Sequence, residues 1–307
     1  MSAELIVFGE FFRDLIFYRL PALPSMGKEV KTAHFTELPG GGVATTALIA
    51  ARLGTPTAVV TRVGEDARQR RAWMRIEQSG ICTVSCEFSK RFPTAITVCA
   101  AYNNERMMIT HDPINRELHL LLKRHAVKQQ LSRARHVHLA CTPAPIELWA
   151  SKLGALRSLG LTVSTDLGWN PEVLQSAKLP LLLKHCEFTF PNEVEAKAMT
   201  RENSVEKAAR RLCKWVQTPV IKLGQEGCLA MRRGELLRLK SIRVNSVDPT
   251  GAGDAFNGGF LHGYLSNWPL EDCLRAGNVC GAMATTSAGG SSAIPSRAKL
   301  LQMMKRI

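Results

Sequence analysis

Short apolar runs alternate with longer helix-forming stretches along most of the chain. The apolar runs have the length and composition of buried strands, and they lie at residues 5–9, 57–64, 136–141, 161–166, 186–192 and 219–224. Helix-forming stretches lie between or after them, at residues 45–53, 66–78, 145–159, from 193, 204–216 and from 254 onward. This alternation predicts an α/β fold, in which a mainly parallel sheet is covered by helices on both faces.

Two segments interrupt this alternation and predict a second, smaller sheet. Residues 11–38 are broken by prolines and a glycine, and residues 92–112 contain two β-rich runs. The pair Asn103-Asn104 between those runs is typical of a hairpin turn. We expect both segments to form a small sheet that acts as a lid. Residues 1–307 then form a single domain with this lid inserted into its α/β core.

The composition limits the partners that the protein can have. The formal net charge is +14, from 40 Lys and Arg against 26 Asp and Glu, so anionic ligands such as nucleotides are attracted. The basic residues form short scattered groups, and aromatic residues, 6% of the chain, do not interleave with them. Because a nucleic-acid surface needs such stacking residues, we expect no nucleic-acid partner.

The cysteines and the apolar segments predict a cytoplasmic protein. The nine cysteines include no C-x-x-C pair and no zinc spacing, so we expect buried, reduced thiols. The first residues, MSAELIVFGEFFRDL, do not have the pattern of a signal peptide. No run of about 18 apolar residues occurs, so we expect no membrane span.

The strongest chemical signal is DPTGAGDAFNGGF at residues 248–260. The small residues Gly251, Ala252 and Gly253 precede a predicted helix, where backbone N–H groups can form an anion hole. Asp254 beside that hole is suited to act as a general base while the amides stabilise a phosphoryl group. A glycine-rich loop with a capping Asp is the alternative. The segment has neither the Walker A pattern nor the dinucleotide pattern.

DPTGAGDAFNGGF resembles the C-terminal signature of the ribokinase-like (PfkB) carbohydrate kinases. Further segments resemble the motifs of that family in the correct order, namely PGGGVATTALIAARLG, VGED, FPNEVEA, IKLGQEG and GGSSAIP. The resemblance extends over residues 5–297. It implies a ribokinase-like three-layer α/β/α sandwich with a small β-sheet lid, and ATP-dependent phosphorylation of a hydroxyl group of a small sugar.

The resemblance also implies roles for individual residues. Asp254 corresponds to the catalytic base, and the anion hole to Gly251, Ala252 and Gly253. The sugar-binding positions correspond to Asp14, Gly40, Gly41 and Thr45. The ATP-binding positions correspond to Asn192, Lys222, Gly224, Gly227 and Asn278. Glu195 and Asn192 correspond to the Mg²⁺-binding motif, which acts through water, and Asp248 lies where some members bind a monovalent cation such as K⁺.

Several positions depart from the family pattern, and most of them concern the acceptor. Thr45 stands where many members have a sugar-binding Asn, and Ala140 or Cys141 where some have a polar contact. Ser287 and Ala293 differ from ribokinase near the cation loop. The acceptor therefore stays open. A nucleoside kinase of the same fold is one alternative, and a sugar-binding or regulatory protein without catalysis is another. Family members often pair through their lids, which implies a homodimer.

Overall fold

The computed structural model describes residues 3–102, 105–287, 289–291 and 293–305. The strands are β1 (Leu5–Gly9), β2 (Phe12–Phe17), β3 (Phe35–Gly40), β4 (Thr57–Val60), β5 (Arg62–Gly64), β6 (Glu87–Ser89), β7 (Ile96–Tyr102), β8 (Glu105–His111), β9 (His136–Ala140), β10 (Thr162–Asp166), β11 (Phe188–Thr189), β12 (Thr218–Lys222), β13 (Cys228–Arg232) and β14 (Glu235–Leu239).

The α-helices are α1 (Gly42–Leu53), α2 (Arg71–Gln78), α3 (His125–Leu131), α4 (Ile146–Ser158), α5 (Pro171–Leu174), α6 (Leu179–Leu183), α7 (Glu193–Thr200), α8 (Val205–Leu212), α9 (Ala252–Leu265), α10 (Leu270–Ala284) and α11 (Arg297–Met304). Short 3₁₀ turns lie at Glu65–Gln69, Leu118–Lys123 and Gly224–Glu226.

The main sheet has eight strands in the order β14-β13-β12-β11-β10-β9-β1-β4. The strands from β12 to β4 pair in parallel, and β13 and β14 add an antiparallel hairpin at one edge. Ile6 and Phe8 of β1 pack into one hydrophobic core, whereas Leu5 and Val7 pack into another. Because neighbouring strand residues point to opposite faces, helices cover both sides of this sheet, which confirms the predicted fold class.

The small sheet has four strands in the order β3-β2-β7-β8. Strands β2 and β7 pair in parallel, and β3 and β8 are antiparallel to their neighbours. The strands come from residues 12–17 and 35–40 and from residues 96–102 and 105–111. The predicted turn pair Asn103-Asn104 lies outside the described residues.

Several predicted elements differ in detail from the structure. The strand predicted at residues 57–64 is two strands, because the chain leaves the main sheet after Val60 and pairs as β5 with β6. The helix predicted at residues 66–78 begins as a 3₁₀ turn and becomes regular only from Arg71. Strand β14 was not predicted. It lies at the sheet edge, and its residues, ELLRL, are exposed or half-exposed and form no buried apolar run.

The nine cysteines, all in the described part of the chain, are free thiols, and seven of them are buried. None of the helices in that part combines the length and the apolar character that crossing a membrane requires.

Candidate active site

The candidate site lies at the edge where the carboxyl ends of the parallel strands meet. In an open α/β sheet this edge is where ligands bind, because the loops and the helix N-termini open there. Strand β10 ends at Asp166 and strand β12 ends at Lys222. Helix α9 begins beside them with the residues predicted to form the anion hole.

The predicted anion hole is the N-terminus of a long helix. Gly251 is the N-cap of α9 and has φ of 72°, a left-handed conformation that suits glycine. A Cβ at Gly251 would lie 3.1 Å from the Cα of Gly290, so the loop after α10 packs closely against the cap. The first-turn N–H groups of a helix have no acceptor within the helix, and its dipole favours anions there. The Ala252 N–H, predicted as part of the anion hole, donates instead to the carbonyl of Pro249 at 3.2 Å, so the N–H groups of Gly251 and Gly253 are the ones that fit a bound phosphate group.

Asp254 lies in the first turn of α9 and lines a cavity of about 240 Å³ between this helix and the small sheet. The backbone carbonyl of Asp254 accepts a hydrogen bond from Thr46 Oγ1 at 3.1 Å, which ties α9 to α1. A Cβ at Gly42 would lie 3.1 Å from the Asp254 carboxylate, so only a small residue fits at the start of α1. The carboxylate is thus held at the boundary between the anion hole and the cavity.

The cavity brings together most of the predicted acceptor-binding residues, Asp14, Gly41 and Thr45, with Gly251 and Asp254. Apolar side chains form part of its wall, namely Phe12, Ile16, Leu38 and Met108. The threonines at 97 and 110 add hydroxyl groups that no motif indicated, and they hydrogen bond to each other at 3.2 Å. The charged residues that line the cavity are Asp14 and Asp254, with no Lys, Arg or His among the described lining residues.

Two glycines shape the loop under the Asp14 carboxylate. Gly40 lies against it so closely that a Cβ there would lie 2.1 Å from its oxygens. Gly41 has φ of 79°, and a Cβ on it would lie 2.2 Å from the carbonyl oxygen of Glu10. Gly41 is therefore required by its close approach to the backbone, whereas a Cβ at Gly40 would displace the Asp14 carboxylate.

Asn192 and Glu195 form a capping box at the start of α7. Asn192 Oδ1 accepts from the Glu195 N–H at 2.9 Å, and Glu195 Oε2 accepts from the Asn192 N–H at 2.8 Å. Glu195 is buried, and burial together with the charge of Asp166 raises its pKa above the ordinary value. The capping contacts orient the Glu195 carboxylate toward the same buried group of charges as Asp166 and Lys222.

Lys222 is part of an ion pair that the sequence did not reveal. Its Nζ lies 2.5 Å from Asp166 Oδ2, and Asn257 Nδ2 donates to the same oxygen at 2.7 Å. Asp166 and Asn257 were missed, because neither lies in a motif that pairs it with Lys222. For Asp166 the sequence did offer one signal, because an Asp at the carboxyl end of a predicted parallel strand lies where ligands bind.

The remaining ATP-binding candidates lie around the turn between β12 and β13. Gly224 has φ of 59° and Gly227 has φ of 93°. A Cβ at Gly227 would lie 2.0 Å from the carbonyl oxygen of Leu239. Asn278 of α10 is buried and donates to the carbonyls of Leu239 and Lys240 at 3.4 and 3.2 Å. Gly227 and Asn278 thus meet at the end of β14.

The carboxylate of Asp248 is buried and accepts hydrogen bonds from two loops. Its Oδ1 accepts from the N–H of Thr250 at 2.9 Å and from its hydroxyl at 2.6 Å, and its Oδ2 accepts from the N–H of Gly289 at 2.8 Å. These bonds join the loop before the anion hole to the loop after α10. Asp248 therefore has a structural role in holding the Gly251 cap in place.

The donor set fits a Mg²⁺ ion that keeps most of its ligands from water and phosphate. No group of three or more His, Cys, Asp or Glu side chains able to hold a metal occurs in the part of the chain that the structure describes. Glu195 supplies a carboxylate oxygen and Asn192 an amide oxygen, both of the kind that Mg²⁺ takes in proteins. A water-mediated contact through these two side chains suits an ion that arrives with a nucleotide.

Comparison with known proteins agrees with this geometry. Residues 2–297 match the model of the pfkB family carbohydrate kinases. Ribokinase of Haemophilus influenzae is 25% identical, with 99% of both chains covered. Nucleoside kinase of Methanothermobacter thermautotrophicus is 26% identical, covering 95% of this chain and 92% of that one.

A solved structure assigned as a ribokinase II from E. coli, in complex with ATP and Mg²⁺, superposes over 100% of both chains. The TM-score is 0.84 at 20% identity, which shows the same fold. The family model covers nearly the whole chain. The chain belongs to the pfkB family of carbohydrate kinases, which transfer a phosphoryl group from ATP to a hydroxyl group of a sugar.

Proposed function

We propose that the protein phosphorylates a hydroxyl group of an uncharged sugar, with Asp254 as the general base. The observation that carries this proposal is the cavity beside the α9 N-terminus, whose charged lining residues are Asp14 and Asp254. An acceptor with a phosphate or carboxylate group would meet two negative charges there and no basic side chain among the described lining residues. Sugar phosphates and sugar acids are therefore disfavoured by repulsion and by the cost of burying an unpaired anion.

The Asp14 carboxylate and the hydroxyls of Thr45, Thr97 and Thr110 suit the hydroxyl groups of a sugar. Asp14 accepts hydrogen bonds from the acceptor, and Gly40 and Gly41 let the loop approach closely. Asp254 accepts the proton of the attacking hydroxyl, and the N–H groups of Gly251 and Gly253 stabilise the negative charge on the transferred phosphoryl group. Together these groups perform the two tasks of phosphoryl transfer, positioning and charge stabilisation.

ATP lies along the sheet edge in this proposal, with its triphosphate directed at the anion hole. Asn192, Lys222, Gly224, Gly227 and Asn278 lie on the nucleotide side. Mg²⁺ supplies positive charge to the phosphates when bound, and Glu195 with Asn192 would hold it through water. The small sheet covers the acceptor as a lid and excludes water, which limits hydrolysis of ATP.

A nucleoside is the second candidate acceptor. Phe12, Ile16, Leu38 and Met108 give the cavity an apolar wall that suits the face of a base. A nucleoside is also uncharged, so the absence of basic lining residues in the described chain does not separate it from a sugar. A sugar-binding protein without catalysis is the third reading, and the candidate base beside the α9 cap argues against it.

Release of ADP from Mg·ATP, measured against a panel of acceptors, tests the proposal. The panel contains neutral pentoses and hexoses, nucleosides, sugar acids and sugar phosphates. We expect turnover with a neutral sugar and none with the charged acceptors. Turnover confined to charged acceptors would contradict the proposed acceptor class, and turnover with nucleosides alone would select the second candidate.

We infer further that two copies pair through the small sheet. Asp14, Thr97 and Thr110 lie on its cavity side, so the residues that alternate with them form an outer face. That face exposes large apolar side chains, at Phe17, Phe35, Val98, Met107 and Ile109. A second copy would bury this surface.

We also propose that a monovalent cation binds beside Asp248. We propose, as a separate point, that the protein is cytosolic. The buried Asp248 carboxylate and the free thiols support them. Dependence of the rate on K⁺ tests the cation.

A further inference from the structure

The ion pair of Lys222 and Asp166 lies deep in the candidate site. The two side chains are 12% and 11% exposed, and Asn257, which is fully buried, binds the same carboxylate oxygen. The carboxylate is therefore fixed by two donors from different elements, the end of β12 and the middle of α9. A fixed carboxylate in turn fixes the ammonium group.

The ammonium group of Lys222 lies against the anion hole. A Cβ at Gly253 would lie 3.0 Å from Lys222 Nζ, so the ammonium is next to the backbone of the first turn of α9. Gly253 directly precedes Asp254, the candidate base. A phosphoryl group held by the amides of this turn would be within reach of the ammonium group.

The surrounding charges keep Lys222 protonated. Burial acts to lower its pKa, but Asp166 of β10, Glu195 of α7 and Asp254 of α9 outweigh burial, and its pKa is raised above the ordinary value. The neighbouring His138 of β9 is uncharged near neutral pH, because burial lowers its pKa to about 4. One cation thus faces three carboxylates in a site that also has to receive the phosphates of ATP.

We propose that Lys222 is a catalytic residue that binds the transferred phosphoryl group in the transition state, and that Asp166 is the positioning residue that holds its ammonium group against the anion hole. This inference rests on the proposed kinase function. A bond forms between the acceptor oxygen and the γ-phosphorus while the bond from that phosphorus to the β,γ-bridging oxygen breaks. ADP leaves with the electron pair, the acceptor proton passes to Asp254, and Lys222 stays protonated throughout.

The first test compares Lys222→Met with Lys214→Met. Lys214 is exposed, and its ammonium group makes no hydrogen bond or ion pair with the part of the chain that the structure describes. We expect Lys222→Met to lower kcat by about 10²- to 10³-fold, as the loss of one transition-state donor does. The KM of the acceptor should change by less than about threefold. Binding of ATP should weaken more than binding of ADP, since only ATP carries the γ-phosphate. Lys214→Met should match the wild type in each measurement.

The second test uses Asp166→Asn, which keeps the shape of the side chain and removes its charge. Without that carboxylate the ammonium group is no longer held against the anion hole, so kcat should fall by about 10-fold or more while the KM of the acceptor changes by less than about threefold. A purely structural ion pair would lower the thermal stability of the variant and leave kcat within about threefold of the wild type. This variant also carries the test if Lys222→Met does not fold.

The outcomes separate the inference from the proposed function. A kcat of Lys222→Met within about threefold of the wild type, or equal losses of ATP and ADP affinity, would overturn the inference in an active kinase. A kcat of Asp166→Asn within about threefold of the wild type would overturn the positioning role. If the wild type binds ATP without turning over any acceptor, the proposed function fails and the catalytic role of Lys222 fails with it. If the wild type binds no ATP, both fail.

Discussion

A half-buried carboxyl group at the end of the first strand couples folding to pH. Glu10 follows β1, and its Oε1 accepts from the N–H of Thr142 at 3.2 Å. Burial, with a smaller contribution from the charge of Asp112, raises the pKa of Glu10 to about 7. The folded chain therefore holds this proton to a higher pH than the unfolded chain, and the stability contributed by the group falls as pH rises from about 4.5 to 7.

Glu10→Gln removes this titration and keeps an oxygen that can accept from Thr142. We expect the variant to be more stable than the wild type by about 1 to 3 kcal/mol at pH 8 and nearly equal to it at pH 4. Urea unfolding at both values measures the difference, and Glu226→Gln in an exposed turn is the control. Equal stability of the two proteins at pH 8 would show that Glu10 is not held in its neutral form.

At the scale of single residues, the sequence identified the side chains that lie in contiguous motifs. Asp254 and the small residues before it are neighbours in the chain, so their joint role can be read without a fold. Asp166, Lys222 and Asn257 are far apart in sequence, and only the ends of two strands and one helix bring them together. Thr97 and Thr110 were not identified either, because whether their side chains face the cavity depends on the strand register.

At the scale of elements, the contact between α1 and α9 depends on glycine. A Cβ at Gly258 would lie 2.7 Å from the Cβ of Ile49 and 2.8 Å from the carbonyl oxygen of Thr46. Gly258→Ala should therefore destabilise the fold by about 1 to 3 kcal/mol through overpacking, which exceeds the gain of up to about 1 kcal/mol in helix propensity. Because α9 carries Asp254, the rate should fall as well.

Gly154→Ala in α4 is the matched control for that variant. Its nearest neighbour would be the partly exposed ring of His185 at 3.1 Å, which has room to move, so stability should be unchanged or higher. Thermal unfolding of both variants measures the contrast. Equal effects of the two substitutions would show that helix propensity, and not the approach of α1, decides their stability.

The element boundaries show why some of the fold was predictable. Strand β1 is buried on both faces, and its continuous apolar run identifies it. Strands β9, β10 and β12 are also mostly buried, although His, Ser, Thr or Lys residues interrupt their apolar residues. Strand β11 is only Phe188–Thr189, because the chain turns into α7 soon afterwards, although the apolar run is longer. The split of residues 57–64 into two strands depends on pairing with β6, which the local pattern does not encode.

At the scale of the whole molecule, the exposed outer face of the small sheet predicts a dimer. Ile109 is 69% exposed and lies opposite Val98 in the strand pairing. Ile109→Lys places a charge in the middle of the proposed contact, so the variant should be a 33.8 kDa monomer while the wild type has twice that mass. Light scattering after size exclusion measures this.

Leu159→Lys is the control for the dimer, because Leu159 is 67% exposed at the end of α4, away from the small sheet. It should keep the mass of the wild type. A monomeric wild type would contradict the proposed pairing, and so would an Ile109→Lys variant that remains a dimer.

The order of strands and helices along the chain was sufficient to predict the three layers, since parallel strands need crossover helices and those helices cover the faces of the sheet. The identity of the acceptor was not predictable, because the cavity wall is assembled from β2, β3, β7, β8 and the α9 cap. Its shape depends on how the small sheet lies over the main one.

The most direct test of the account is the steady-state rate of ADP release for the wild type and Asp254→Asn, with Mg·ATP and the best neutral acceptor. We expect the wild type to turn over and the variant to lose at least about 10²-fold in kcat with ATP binding retained, because the amide cannot take the acceptor proton. A variant that keeps the full rate would contradict the role of Asp254 and, with it, the proposed mechanism at the α9 N-terminus.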